Sequence, residues 1–182
     1  MRSGAGIFGP MTLYALGDLV PSIDPDAWVH PQATIIGQVT VGPESTIWPQ
    51  AVLRGDVSHI RIGAQTSIQD GAVLHGSAGL DTVIGDRCVI GHLAHLEGCV
   101  VEDDCLIGVG SVVLHRARVH TEALVGAGAV LPNGFDVPSR AIAVGVPAKL
   151  RLDAVSLEDI ERSVRRYVDH SHAYRAGLRV VG

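Results

Sequence analysis

The chain has 182 residues, which suits one well-buried domain better than two. Hydrophobic residues make up 47% of it but aromatic residues only 4%, so we expect a core of Val, Ile, Leu and Ala. The formal charge of -5 and the lack of a basic run argue against a nucleic-acid partner. No apolar stretch approaches the roughly 18 residues of a membrane span and no secretory signal pattern is present, which predicts a cytoplasmic protein without a membrane partner.

Residues 1–12 are rich in glycine, and we expect them to form a flexible N-terminal segment. Residues 13–150 carry an internal repeat in which an aliphatic residue recurs every six positions. The repeat positions are Ile35, Val41, Ile47, Leu53, Ile62, Ile68, Leu74, Ile84, Ile90 and Leu96 and then, after a one-residue slip, Val101, Ile107, Val113, Val119, Val125, Leu131, Val137 and Ala143. A flat side every six residues, closing after three, predicts an all-β solenoid with parallel strands that pair from coil to coil.

A small residue precedes most of these aliphatic residues by two positions, and strand alternation turns both inward. Cys88, Cys99 and Cys105 occupy this small inward position, which predicts buried, reduced thiols and no disulfide. Glycine often follows the aliphatic residue, as at Gly42 and Gly63, and we expect the chain to turn there.

The repeat is interrupted twice. Three extra residues fall within residues 53–62 and four within residues 74–84. Insertions in a solenoid are expected to form loops at its corners, where functional sites are usually built.

Residues 151–182 are predicted to form a C-terminal α-helix and tail. The helix is expected from about 156 to 175, with Ser156 as its N-cap and Gly177 at its end. Its apolar stripe comprises Ile160, Val164, Tyr167 and Val168.

Polar residues gather in one band of the predicted solenoid. Counting three sides per coil stacks the outward residues Arg54, His75 and Glu97 on one side, with Gln69 near His92 on another. Three histidines near a carboxylate and an amide indicate a catalytic metal site that leaves one position for water. These three histidines are His75, His92 and His95. The others show no clustering and are interpreted as surface residues: His30, His59, His115, His120, His170 and His172.

The two histidines His75 and His92 project from different sides, so a neighbouring chain is needed to bring both to one ion. We therefore expect a homotrimer with the metal between subunits. Arg54, Asp56 and Asp70 would then form ion pairs at the trimer interface.

The residues of this band resemble those of a known family. The ordered set Arg54-Gly55-Asp56, Gln69-Asp70, His75 and Gly91-His92, within a similarity from about residue 13 to 175, resembles the gamma-class carbonic anhydrases of the hexapeptide-repeat superfamily. The resemblance implies a left-handed β-helix, a homotrimer and a cation at each subunit interface, either Zn²⁺ or alternatively Fe²⁺ or Co²⁺. It also implies that His75 and His92 are metal ligands, that Gln69 hydrogen-bonds the metal-bound water and that Tyr167 orients bicarbonate.

The chain departs from the family pattern at its third ligand. Glu97 stands where the family has histidine, and His95 stands where it has an aliphatic residue. Stacking over His75 favours Glu97 as the third ligand, whereas the softness of the ligand set favours His95. Val57 replaces the glutamate of the best-known active members, so Glu97 is a candidate catalytic base if it is not a ligand.

The predicted function is reversible hydration of carbon dioxide to bicarbonate by a metal-bound hydroxide, which would make the protein a lyase. One alternative is a coenzyme A-dependent acyltransferase, suggested by the segment 145–149, with His115 or His120 as the base. Another is a non-catalytic trimeric scaffold or small-metabolite-binding protein.

Overall fold

The computed structural model describes residues 12–181, so the predicted flexible segment 1–12 lies outside the described residues except for Thr12. The described chain forms a left-handed parallel β-solenoid of about seven turns followed by an α-helix. This confirms the fold that the repeat and the family resemblance predicted. Each coil contributes a short strand to each of three flat faces.

The first and second faces form one twelve-stranded sheet in the described residues, because two long strands, β4 and β6, bend around the corner between them. The first face contains β1 Leu13–Tyr14, the start of β4 Thr34–Val41, the start of β6 Val52–Ile62, β8 Val73–His75, β11 His95–Glu97, β14 Val112–Val113 and β17 Val130–Leu131. The second face contains β2 Ser22–Ile23, the ends of β4 and β6, β9 Thr82–Ile84, β12 Val100–Val101, β15 Arg118–Val119 and β18 Asp136–Val137.

The third face is a separate sheet with eight strands among the residues described. Its strands are β3 Trp28–Val29, β5 Thr46–Ile47, β7 Ser67–Ile68, β10 Val89–Ile90, β13 Leu106–Ile107, β16 Leu124–Val125, β19 Ile142–Val144 and β20 Lys149–Arg151. All pairings in this face are parallel except that of β19 with β20.

Helix α1, Leu157–Gly177, packs on the third face, where Ile160 and Val164 are buried against Val89. Ser156 is the N-cap residue, as predicted, but its side chain makes no capping hydrogen bond. In the part of the chain that the structure describes, no helix is long and apolar enough to cross a membrane.

The inward positions are filled as the repeat predicted. Each of the repeat aliphatics is buried, and Leu53, Leu74 and Leu96 pair in successive coils. The cysteines are also buried and unpaired. Burial raises the pKa of Cys99 to about 12, so this thiol is not a nucleophile at neutral pH.

The small inward residues at one corner also make hydrogen bonds between coils. Each donates a hydrogen bond to a carbonyl of the next coil, and so provides a partner for a partly buried acceptor. The donors are Ser45 to Gly63 at 2.6 Å, Thr66 to Gly85 at 2.8 Å, Cys88 to Glu102 at 3.0 Å and Cys105 to His120 at 3.1 Å.

The glycines after the aliphatic residues do not turn the chain, so that prediction was wrong. The left-handed residues that form the corners lie two positions later, as at Glu44 and Gln65, with φ of 55° and 53°. The glycines are required instead because the next coil lies too close for a side chain. A Cβ on Gly108 would lie 2.5 Å from the backbone nitrogen of Ala127.

The two insertions have different structures. The first was predicted to form a corner loop, and this is wrong, because it is part of the continuous strand β6. The pairing of β6 with β4 shifts register between Gly37 and Val39. The second is a corner turn, as predicted, in which Ser77 and Leu80 exchange backbone hydrogen bonds of 3.1 and 2.7 Å. Both insertions lie beside the first face.

The close stacking of coils predicts the effect of adding one methyl group. Gly108→Ala should lower the free energy of unfolding by about 1 to 3 kcal/mol, because backbone atoms of the next coil must move. Gly177→Ala is the control, because a Cβ there meets no atom within 4 Å. Urea denaturation of both variants checks this, and equal stability of the two variants would contradict it.

Candidate functional site

A column of polar side chains runs across the first face. Arg54 pairs in register with His75, and His75 with Glu97, in three successive coils. The predicted stack is therefore confirmed. Neighbouring strands are roughly 4.8 Å apart, so these side chains can contact each other directly.

His75 is held between two carboxylates at the centre of this column. Its Nε2 lies 3.0 Å from Asp56 Oδ1, and its Nδ1 lies 3.1 Å from Glu97 Oε1. Arg54 pairs with the other oxygen of Asp56. A neutral imidazole has only one N–H and can donate to only one of these two carboxylates. The lone pair of its other nitrogen can therefore bind a cation.

Asp56 keeps its negative charge in this arrangement. Burial by itself would raise its pKa, but hydrogen bonds from Arg54 and His75 outweigh that effect and hold the pKa below its ordinary value. The side chain is 22% exposed. Asp56 therefore presents a charged oxygen to His75 at neutral pH.

Glu97 has more polar contacts than its place in the repeat suggests. Ser77 Oγ donates to its Oε1 at 2.7 Å, and His115 Nε2 lies 3.4 Å from the same oxygen. His95 Nε2 lies 3.3 Å from Oε2. The hydrogen bond from Ser77, followed by those from His75 and His95, outweighs burial and lowers the pKa of Glu97 to about 2.

Two members of this cluster were missed in the sequence. Ser77 lies in the second insertion, and that insertion was the available signal. His115 was interpreted as a surface residue without neighbours, and this is wrong, because its Nε2 lies 2.9 Å from Ser77 Oγ. His120 is likewise clustered, between Glu102 at 3.2 Å and Asp136 at 2.9 Å, but on the second face.

A second polar group lies at the corner between the third and first faces. The backbone N–H of His92 donates to Gln69 Oε1 at 3.1 Å, which confirms that these two residues are neighbours. His92 Nδ1 lies 3.0 Å from Asp70 Oδ2. Gln69 is only 4% exposed, although the sequence suggested an outward side chain. Within one chain Asp70 thus pairs with His92, whereas Arg54 and Asp56 pair with each other.

A groove of about 350 Å³ opens next to this corner, between helix α1 and the third face. Gln69, Arg166 and Tyr167 supply polar groups to it, and Leu106 and Leu124 supply apolar ones. The ring of Tyr167 packs against that of Trp48, with centroids 5.8 Å apart. Burial raises the pKa of Tyr167, so its hydroxyl is a hydrogen-bond donor at neutral pH.

The metal ligands expected from the sequence fall into two separate groups. Within residues 12–181 of one chain, no group of three or more His, Cys, Asp or Glu could hold a metal ion. His75 and Glu97 do lie together on the first face, while His92 lies at the corner beside Asp70. Two imidazoles and a carboxylate are a suitable donor set for zinc or ferrous iron, so the residues fit a cation that two chains would share.

The fold and this polar column define a class, that of the hexapeptide-repeat proteins. No protein-family model matches the chain. It is 37% identical to the carnitine operon protein CaiE of Salmonella agona over 92% of this chain and 86% of that protein. It is also 37% identical to the mitochondrial gamma carbonic anhydrase 2 of Arabidopsis thaliana, over 87% of this chain and 60% of that protein.

A candidate acetyltransferase of Bacillus cereus has a similar solved structure, with a TM-score of 0.88 and 35% identity. The match covers 91% of this chain and 98% of that one. The chain therefore belongs to the gamma-class carbonic anhydrase-like family of hexapeptide-repeat proteins.

The two insertions beside the site are held together by Asp81. Its Oδ1 accepts hydrogen bonds from Ser58 Oγ at 2.5 Å and from the backbone N–H of His59 at 3.0 Å. Its Oδ2 pairs with Arg61 at 2.5 Å. Ser58 and then Arg61 outweigh the opposing effect of burial, and lower the pKa of Asp81 from 3.8 to about 2.

This pKa predicts how acid affects stability. A carboxyl with a lowered pKa in the folded state stabilises the fold above pH 3.8, and this contribution is lost as the pH falls towards 2. Asp81→Asn should therefore be less stable than the wild type at pH 7, and the difference should shrink between pH 4 and 2. Urea denaturation across this pH range measures the difference in the free energy of unfolding. Asp169→Asn, on the exposed side of the helix, is the control. A difference that stays constant with pH would contradict the prediction.

Proposed function

We propose that the protein is a gamma-class carbonic anhydrase that hydrates carbon dioxide reversibly, with a cation held between subunits of a homotrimer. The observation that carries the proposal is the contact of His75 with Glu97 on one face, while His92 lies at a neighbouring corner of the same chain. Similarity to the Arabidopsis gamma carbonic anhydrase supports it. The expected cation is Zn²⁺, with Fe²⁺ or Co²⁺ as alternatives.

The residues of the first face would supply metal ligands and orient them. His75 and the partner chain's equivalent of position 92 would bind the cation, together with a third ligand, either His95 or Glu97. When bound, such a cation acts as a Lewis acid that makes water a nucleophile near neutral pH. Arg54 and Asp56 hold the His75 ring, and Asp70 would extend this ion-pair network across the interface.

The residues of the corner and groove would bind the substrate. Gln69 is buried and shares the groove with Tyr167, so an amide and a phenol are available to orient water and bicarbonate. Arg166 lines the same groove and favours an anionic product. If Glu97 is not a ligand, its ionised carboxylate is the candidate base for the proton that hydration releases.

The groove also favours a second candidate function, a coenzyme A-dependent acyltransferase. Its volume and mixed lining suit a small organic ligand, and the similar Bacillus cereus protein is a candidate acetyltransferase. The two histidines considered as its base are poorly placed, because neither His115 nor His120 lines the groove. A scaffold without catalytic activity is the third alternative. We favour the carbonic anhydrase.

Mixing two inactive variants tests the shared site. His75→Ala and His92→Ala should each remove zinc from the purified protein, because each lacks one ligand of every site. Refolding them together at equal amounts should restore about a quarter of the wild-type zinc content, since each mixed trimer regains about one of its three sites. Metal analysis by mass spectrometry and stopped-flow measurement of carbon dioxide hydration follow the recovery.

The controls separate the three candidate functions. His172→Ala changes an exposed helix histidine and should leave the zinc content unchanged. Full zinc content in both single variants, or no recovery in mixed trimers, would refute the shared site. Zinc without hydration activity would refute the carbonic anhydrase, and thermal stabilisation by acetyl-coenzyme A would then support the transferase.

A further inference from the structure

The sequence left two candidates for the third protein ligand of the metal, His95 and Glu97. Resting on the proposed function, we propose that Glu97 is this ligand and that Ser77, His95 and His115 position its carboxylate. The resulting set of two imidazoles and one carboxylate should favour Fe²⁺ and Mn²⁺, relative to Zn²⁺, more than three imidazoles would.

The strand register separates the two candidates. Glu97 pairs with His75 in the neighbouring coil, whereas His95 pairs with Val73, two residues earlier. Residues two apart on one strand lie roughly 6.6 Å from each other. Glu97 Oε1 already reaches within 3.1 Å of His75 Nδ1. Asp56 occupies the other ring nitrogen, Nε2, so a cation bound at Nδ1 of His75 would have the Glu97 carboxylate beside it.

His95 is already engaged with the carboxylate that it would have to replace. Its Nε2 lies 3.3 Å from Glu97 Oε2. A histidine that donates an N–H to a ligand carboxylate is a common positioning arrangement around metals. The same nitrogen cannot make that hydrogen bond and bind a cation at once. His95 is thus placed to orient Glu97 and not to replace it.

The other oxygen of Glu97 is held from the opposite side by a short hydrogen-bonded chain. Ser77 Oγ donates to Oε1 at 2.7 Å, so the Ser77 oxygen is free to accept from His115 Nε2 at 2.9 Å. All of these groups are partly buried. A carboxylate fixed at both oxygens loses little further rotational freedom when it binds a cation, which favours binding.

The donor set has a consequence for the choice of metal. A carboxylate is a harder ligand than imidazole, and two histidines with one carboxylate and open positions are typical of ferrous iron sites. Zinc also accepts such a set. Glu97→His, which restores the family's three-histidine pattern, should therefore raise the ratio of zinc to manganese affinity above that of the wild type.

The test measures binding of Zn²⁺, Mn²⁺ and Co²⁺ to the full-length trimer by calorimetry, with the visible absorption spectrum of bound Co²⁺ as a second readout. Glu97→Gln should abolish binding. His95→Val should weaken it roughly 10- to 100-fold while leaving the Co²⁺ band positions unchanged. His95→Gln retains an N–H donor and should recover part of the affinity.

Glu102→Gln is the matched control. Glu102 is similarly exposed, at 24% against 23% for Glu97, and it also contacts a histidine, but it lies on the second face. This variant should bind all three metals like the wild type, and thermal melting and native mass confirm that every variant is a folded trimer.

The outcomes separate this inference from the proposed function. Loss of binding in His95→Val together with full binding in Glu97→Gln would overturn the inference and leave the shared metal site in place. The expected binding pattern without carbon dioxide hydration would support the ligand assignment and refute the carbonic anhydrase. A wild-type trimer that binds none of the three metals would overturn both.

Discussion

The close stacking of successive coils is the constraint on which the rest of this structure depends. Parallel strands separated by roughly 4.8 Å leave room on each side of a coil for one inward aliphatic residue and one small residue, and little else. Just before the corners the next coil comes so near that a Cβ on Gly108 would lie 2.5 Å from the backbone nitrogen of Ala127. The small inward residues at one corner also donate hydrogen bonds to partly buried carbonyls of the next coil.

The same stacking brings residues about 20 positions apart in the chain into direct contact. Asp56, His75 and Glu97 come from three successive coils, yet their side chains form one continuous hydrogen-bonded line. A polar column of this kind costs little because it lies on an outer face, where solvent still reaches Arg54. The rigid backbone below it holds the functional groups in place, which is the property that a ligand site requires.

The two polar groups of one chain are each incomplete as a metal site. His75 and Glu97 share the first face, and His92 with Asp70 occupies the next corner. The proposed metal site therefore depends on assembly, because neither group can surround an ion by itself. Glu97 lies outside the packed core, so the residue at this position can alter the charge and hardness of its group without altering the core packing.

The six-residue period by itself determined the parallel β-solenoid, the inward residues, the buried cysteines and the stack of Arg54, His75 and Glu97, whereas its left-handed sense came from the family resemblance. These features follow from strand alternation and a constant coil length, which are local properties of the chain. Only the tertiary structure decided that the first insertion continues a strand, that Ser77 and His115 hold Glu97, and that Gln69 is buried. Those features depend on corner conformations and on contacts with side chains from other coils. Neither follows from the spacing of residues along the chain.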